Sequence, residues 1–311
     1  MTQKITRWVQ RMDYRYLLPA MARLPFSIGV FASYCRGLLQ VLVDYDWRSI
    51  ALGRKYIRSN VYQAMTVLLG SRSKSIMGTL GRFLHNSRSE YQDCLYINEQ
   101  KIEKICQNSK LNGIEDILKA QKEGRGVVLL SCHFDSFIMG MVLLGKKGVN
   151  VNVLTSSLVE DKRIHPDVIN FFTSKYRLME KYIGGKMVHY ETGLDFYYQA
   201  LDRGESLVIM ADVQGGKSDI YIPFLERNLR MPIGAWHMAK KTNSLIGAYM
   251  CIYVSPGVYQ INFFPLREID AESPVNTLLP IYAFLEGWIR KMPGRWLAAE
   301  HLMNYGLYGF D

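Results

Sequence analysis

Two apolar runs in this chain end on groups that can move a proton. Residues 127 to 140 read VVLLSCHFDSFIMG, so His133 and Asp135 follow directly on a strand-like segment and precede a helix-like one. An imidazole titrates near neutrality and can take a proton from an attacking hydroxyl or amine if a carboxylate orients its other nitrogen. Asp135 is the nearest carboxylate and is read as that partner, although an aspartate just before a helix also serves as a cap. Ser136 in the same turn joins the substrate-binding candidates. Cys132 beside His133 does not make a Cys/His pair, because neighbours on an extended segment point to opposite sides. The second run reads LVIMADVQGGKSDIYIPF over 207–224. It ends on Asp212, and Gly215-Gly216 with Lys217 follow. Glycines allow close backbone approach and a lysine there can hold phosphate, but the spacing is not that of a P-loop.

The elements that must carry these groups alternate. Short apolar runs at 126–130, 149–154 and 206–210 predict strands. The pair 245–254 and 258–264 is split by Ser255-Pro256-Gly257 and predicts a hairpin. Helical spacing is predicted over 137–144, 166–176, 192–203, 234–242 and 277–291. Residues 47–120 read as helical, with 50–69, 75–84 and the segment closed by Gly124 the clearest. Strands alternating with helices predict an α/β fold with a central, mostly parallel or mixed sheet flanked by helices. Ligands of such sheets bind where strands give way to helices, which puts His133 at the mouth of a crevice.

The chain has 311 residues, 49% of them hydrophobic, and a formal net charge of +10. That charge favours an anionic partner. The five cysteines are dispersed and form no CxxC pair, against a disulfide framework or a zinc site. His165, His189 and His237 have no metal-ligand spacing. No nucleic-acid motif is present either. Residues 16–45 are apolar but interrupted by Arg23 and Arg36, and the uninterrupted piece 24–35 is shorter than the roughly 20 residues a spanning helix needs. An interfacial helix or helical hairpin with its basic residues at headgroup depth is expected. The predicted layout is therefore a helical membrane-associating segment over 1–46 and one α/β domain over 47–311.

Several blocks together resemble the lipid A biosynthesis acyltransferase branch of the lysophospholipid acyltransferase superfamily. In order they are VVLLSCHFDSF, HPDVINFFTSKYR, ALDRGESLVIMADVQGGKSDIYIPFLER, GAWHMAKKTNSLIGAYM and FLEGWIRKMPGRWLAAEH. The resemblance implies a membrane-bound α/β enzyme at the cytoplasmic face of the bacterial inner membrane, in lipopolysaccharide-type lipid metabolism. It would move an acyl or aminoacyl group from a carrier-protein or coenzyme A thioester to a hydroxyl or amine of a lipid or glycolipid. The thioester is a co-substrate, and no cofactor or metal is implied. His133 matches the family's base. The family's acidic residue, five positions on, falls on Ile138. Asp212 and Arg177 match an aspartate and a basic residue of later blocks. The loss of the acid leaves two other readings open: a lipid-binding or assembly protein that kept the fold, and a soluble acyltransferase acting on a secondary metabolite.

Overall fold

The computed structural model describes residues 3–48, 57–213, 219–225 and 227–303. The chain opens with helices α1 (Gln3–Arg11), α2 (Leu18–Arg23), α3 (Phe26–Val43), α4 (Ile57–Leu69) and α5 (Arg72–Cys94), with a π-helical turn, Met12–Leu17, between α1 and α2. Strands β1 (Lys110–Asn112), β2 (Val127–Ser131), β3 (Val151–Thr155), β4 (Gly184–His189), β5 (Ser206–Met210), β6 (Asp219–Phe224), β7 (Arg227–Pro232), β8 (Leu245–Ser255) and β9 (Val258–Arg267) follow. Interspersed are α6 (Glu99–Asn108), α7 (Glu115–Lys122), α8 (Phe137–Lys146), α9 (Pro166–Ile183), α10 (Asp195–Asp202), α11 (Gly234–Lys241) and α12 (Pro274–Lys291).

Seven strands form one sheet in the order β1-β9-β8-β2-β5-β3-β4. Strand β2 is central and parallel to both β5 and β8. All five of its residues are buried, as an inner parallel strand covered on both faces requires. Only the β8–β9 hairpin runs antiparallel, and it turns at Pro256-Gly257 as predicted. Two predictions need correction. The region 47–120 is not wholly helical, because Lys110–Asn112 pairs with β9 at the sheet edge. The β4 strand and the β6–β7 hairpin carried no recognised signal; β4 begins with two glycines, and β6–β7 is a separate two-stranded sheet.

The apolar N-terminal stretch is one helix from Phe26, among the described residues the single helix long and apolar enough to cross a membrane by length and composition. Arg36 does not sit at its solvent face as expected. It is buried and grips both Asp13 carboxylate oxygens at 2.6 Å, with Glu90 at 2.7 Å. A guanidinium inside an apolar helix is stable only with its charge answered, and here the answer ties α3 to α5 and the π-turn. Gly29 lies against the Tyr91 ring and Gly37 against the backbone at Leu84, so α3 crosses α5 closely and antiparallel.

Lys175 on α9 and Asp93 at the end of α5 form a second buried pair, 3.2 Å apart. Burial pushes the Asp93 carboxyl up to about 6 despite the attraction of Lys175. Lys175→Met keeps the chain volume and removes the countercharge, so the protein is expected to lose about 3–5 kcal/mol at pH 8. Without Lys175 the Asp93 carboxyl is pushed higher still, and a carboxyl whose folded pKa is raised binds its proton more tightly folded than unfolded, so the variant regains stability as pH falls through its own raised folded value. Thermal melts at pH 8 and 5.5 test this; an equal loss at both would contradict it.

Candidate functional site

His133 and Asp212 stand at the same level of the sheet because their strands are in register. Ser131 of β2 faces Met210 of β5, and each functional residue lies two positions beyond its strand end. The ladder continues one step further, Ala211 N–H donating to the Ser131 carbonyl at 2.7 Å. Two residues is one strand repeat, so the two side chains meet. The His133 ring Nδ1 is 2.9 Å from Asp212 Oδ1, and the His133 backbone N–H donates to Asp212 Oδ2 at 2.9 Å. The buried indole of Trp296 donates to that same oxygen at 2.8 Å. Burial alone would push the Asp212 carboxyl up; the attraction of His133 and these hydrogen bonds outweigh it and hold the group below its usual value. With Nδ1–H held by a carboxylate, Nε2 carries the free lone pair. The His133 side chain is 33% exposed, with Phe137 edge-on at 5.0 Å, so the ring is packed and still open to a substrate.

Asp135 is not the partner of the His133 ring. Its backbone is in the left-handed region at φ +50°, and its fully buried carboxylate turns the other way. There it binds the Arg88 guanidinium, Arg295 Nη1 at 2.6 Å and the Tyr253 N–H at 3.0 Å. It does not cap α8 either; Ser136 Oγ donates to it at 3.1 Å. The segment after α12 runs antiparallel beside the histidine turn: Asp135 N–H donates to the Arg295 carbonyl at 2.8 Å, and Leu297 N–H to the His133 carbonyl at 2.7 Å. Arg88, Arg295 and Asp135 therefore brace the turn from below, while Trp296 braces the aspartate. Sequence reading missed Arg88, Arg295 and Trp296 as site residues. Trp296 sits in a block the resemblance had marked; Arg88 lies mid-helix with no local signal.

The remaining candidates divide. Ser136 is buried under the turn, not in the opening. Arg177 is exposed on α9, where its guanidinium reaches Ser174 at 3.5 Å, and no described contact joins it to His133. Lys217, with Gly215 and Gly216, lies outside the described residues. Ile138 is buried on α8, so no carboxylate reaches the ring from the family's usual position. Cys132 is fully buried and its thiol is pushed well up by that burial, which removes it as a nucleophile.

An open groove lies beside the braced turn, between α5 and Met292–Arg295, with a volume of about 530 Å³. Leu69, Met77, Gly78, Gly81, Met292 and Pro293 form its apolar walls. Large apolar side chains also stand exposed over α1 to α3 and the start of α5, among them Trp8, Phe31, Leu39, Leu42 and Met77.

An open imidazole paired with a buried aspartate stands at the carboxyl edge of a mainly parallel sheet, in an α/β protein. The sequence model of the bacterial lipid A biosynthesis acyltransferases matches residues 89–301, which include every residue of this site except Arg88, and the chain belongs to that family. A search of curated proteins finds no match.

Proposed function

We propose that this chain transfers an acyl or aminoacyl group from a carrier-protein or coenzyme A thioester to a hydroxyl or amine of a lipid acceptor, with His133 as the base and Asp212 as its partner. The observation that carries this is the hydrogen bond between the ring Nδ1 and Asp212, which leaves Nε2 ready to accept. The acceptor O–H or N–H gives its proton to Nε2 as its oxygen or nitrogen bonds to the thioester carbon. The tetrahedral intermediate then expels the thiolate, which takes the proton back from the imidazolium. Asp212 stabilises the imidazolium between these steps. The positive end of α8, which starts four residues after His133, favours the developing oxyanion. A thioester is already activated, so the residues present suffice for the proton transfers.

The family membership supports a lipid acceptor. The exposed apolar side chains of α1 to α3, with Arg7, Arg11, Arg15 and Arg23 exposed among them, support attachment to an anionic membrane surface such as the cytoplasmic face of the inner membrane. The same positive charge suits an acidic carrier protein. The paired and accessible ring favours an enzyme over a lipid-binding relic, despite Ile138. The test is transfer of radiolabelled acyl and aminoacyl groups from a panel of carrier-protein and coenzyme A thioesters into membrane lipid. His133→Ala is expected to lose about 10²- to 10⁴-fold of the rate. Transfer that persists in His133→Ala would refute the mechanism.

A further inference from the structure

The segment after α12 lies against the histidine turn as one antiparallel strand lies against another, with Phe134 opposite Trp296. In that register His133 faces Leu297 and Asp135 faces Arg295. His133 and Leu297 occupy a hydrogen-bonded pair of the ladder, and residues in such a pair normally exchange two backbone bonds. Here only one is made. The Leu297 N–H donates to the His133 carbonyl at 2.7 Å. The return bond is not formed, because the His133 N–H is diverted to Asp212 Oδ2 at 2.9 Å.

The diversion deprives the Leu297 carbonyl of its ladder donor, in a residue only 6% exposed. A buried carbonyl left unpaired is costly, and this one would reclaim the His133 N–H. Arg82 supplies another donor. Its Nη2, reaching over from α5, donates to the Leu297 carbonyl at 2.9 Å and to Glu300 Oε2 at 3.0 Å. Arg82 is completely buried, and its charge is answered inside a closed quartet. Asp46 lies 3.5 Å from Arg82 Nη1, and Arg48 lies 2.8 Å from Asp46 and 2.5 Å from Glu300. Two guanidiniums and two carboxylates leave no net charge. Apolar side chains of similar volume would hold α5 to this segment about as firmly as buried ions do. They would give the Leu297 carbonyl no donor.

We propose that Arg82 is a positioning residue of the His133 site: by satisfying the Leu297 carbonyl it keeps the His133 backbone N–H on Asp212, and so fixes the carboxylate that orients the ring. Glu300, Asp46 and Arg48 hold the guanidinium where it does this. The effect on rate rests on the mechanism proposed above, while the hydrogen-bond exchange concerns the resting protein alone.

The test is NMR of the full-length protein labelled with nitrogen-15 at histidine, the His133 amide being assigned as the backbone signal that His133→Gln removes. An N–H bound to a carboxylate makes a shorter, charge-assisted bond and resonates downfield of one bound to a neutral carbonyl. The double variant Arg82→Met/Glu300→Met removes one cation and one anion together and leaves Asp46 with Arg48, so no buried charge is stranded. In it the His133 N–H is expected to return to the Leu297 carbonyl. Its proton then moves upfield, and kcat falls about tenfold with KM unchanged. Arg82→Lys is the rescue. Arg82 makes both bonds from one nitrogen, so an ammonium can make both, and the wild-type amide shift and kcat are expected. An unmoved amide proton in the folded double variant would overturn the proposal. So would Arg82→Lys displacing it as far as the double variant does. The resonance is read without substrate, so an unmoved amide in a protein whose transfer depends on His133 sinks this proposal alone. A displaced amide in a protein that transfers nothing upholds the exchange and sinks the acyltransfer reading instead.

Discussion

Asp212→Asn is expected to abolish acyl transfer as thoroughly as removing the ring of His133, by about 10²- to 10⁴-fold in kcat, with little change in melting temperature. The reason lies in the donors around the carboxylate. Oδ2 accepts from both the His133 N–H and the Trp296 indole, and Oδ1 accepts from the ring. An amide has one oxygen, and two fixed donors claim it. Its NH2 must then face the ring Nδ1, which can answer only as an acceptor. The ring proton moves to Nε2, the atom that should receive the proton from the substrate. The side chain remains the right size and the fold is kept, but the histidine is in the wrong tautomer. Rates of thioester consumption, with nitrogen NMR of the imidazole, check both halves. A variant with near wild-type kcat would show that Asp212 does not orient the base.

The second large effect concerns stability. Asp135→Ala removes the carboxylate that pairs with Arg88 and Arg295, and leaves Arg88, 1% exposed, as a buried uncompensated charge. Breaking a buried pair from one side costs about 3–5 kcal/mol. The orphaned Tyr253 N–H and an alanine held at φ +50° add to it. For a domain whose whole stability is about 5–15 kcal/mol, this approaches unfolding at 37 °C. Urea melts of wild type, Asp135→Ala and Asp135→Asn give the measurement, the asparagine being expected intermediate because it tolerates the left-handed backbone and still accepts from Tyr253. An unchanged midpoint with lost activity would instead make Asp135 part of the chemistry.

These two variants separate what local sequence could tell from what it could not. Both strand ends were legible, because VVLLS and SLVIM are short apolar runs of the kind an inner parallel strand needs. The histidine and aspartate beyond them were therefore correctly placed at the carboxyl edge of an α/β sheet. The pairing was misjudged, since nearness along the chain favoured Asp135. A residue in the left-handed region reverses the direction of its side chain, and no pattern in HFDSF reveals that. Arg36 misled in the same way: an arginine in an apolar helix reads as a headgroup contact until the partner 23 residues earlier is seen to fold back on it.

By itself, then, the sequence determined the alternation of strands and helices and the two strand tips that carry His133 and Asp212, because periodicity and apolar runs are properties of neighbouring residues. Only the tertiary structure decided which aspartate faces the ring. It also assigned Trp296, Arg88 and Arg295 to that turn and opened a groove between α5 and the segment after α12. Those outcomes depend on strand register and on helices packed across large sequence distances, such as the 84 positions between Asp212 and Trp296. Contacts of that kind arise from the packing of the whole sheet and its covering helices, and no single stretch of residues encodes them.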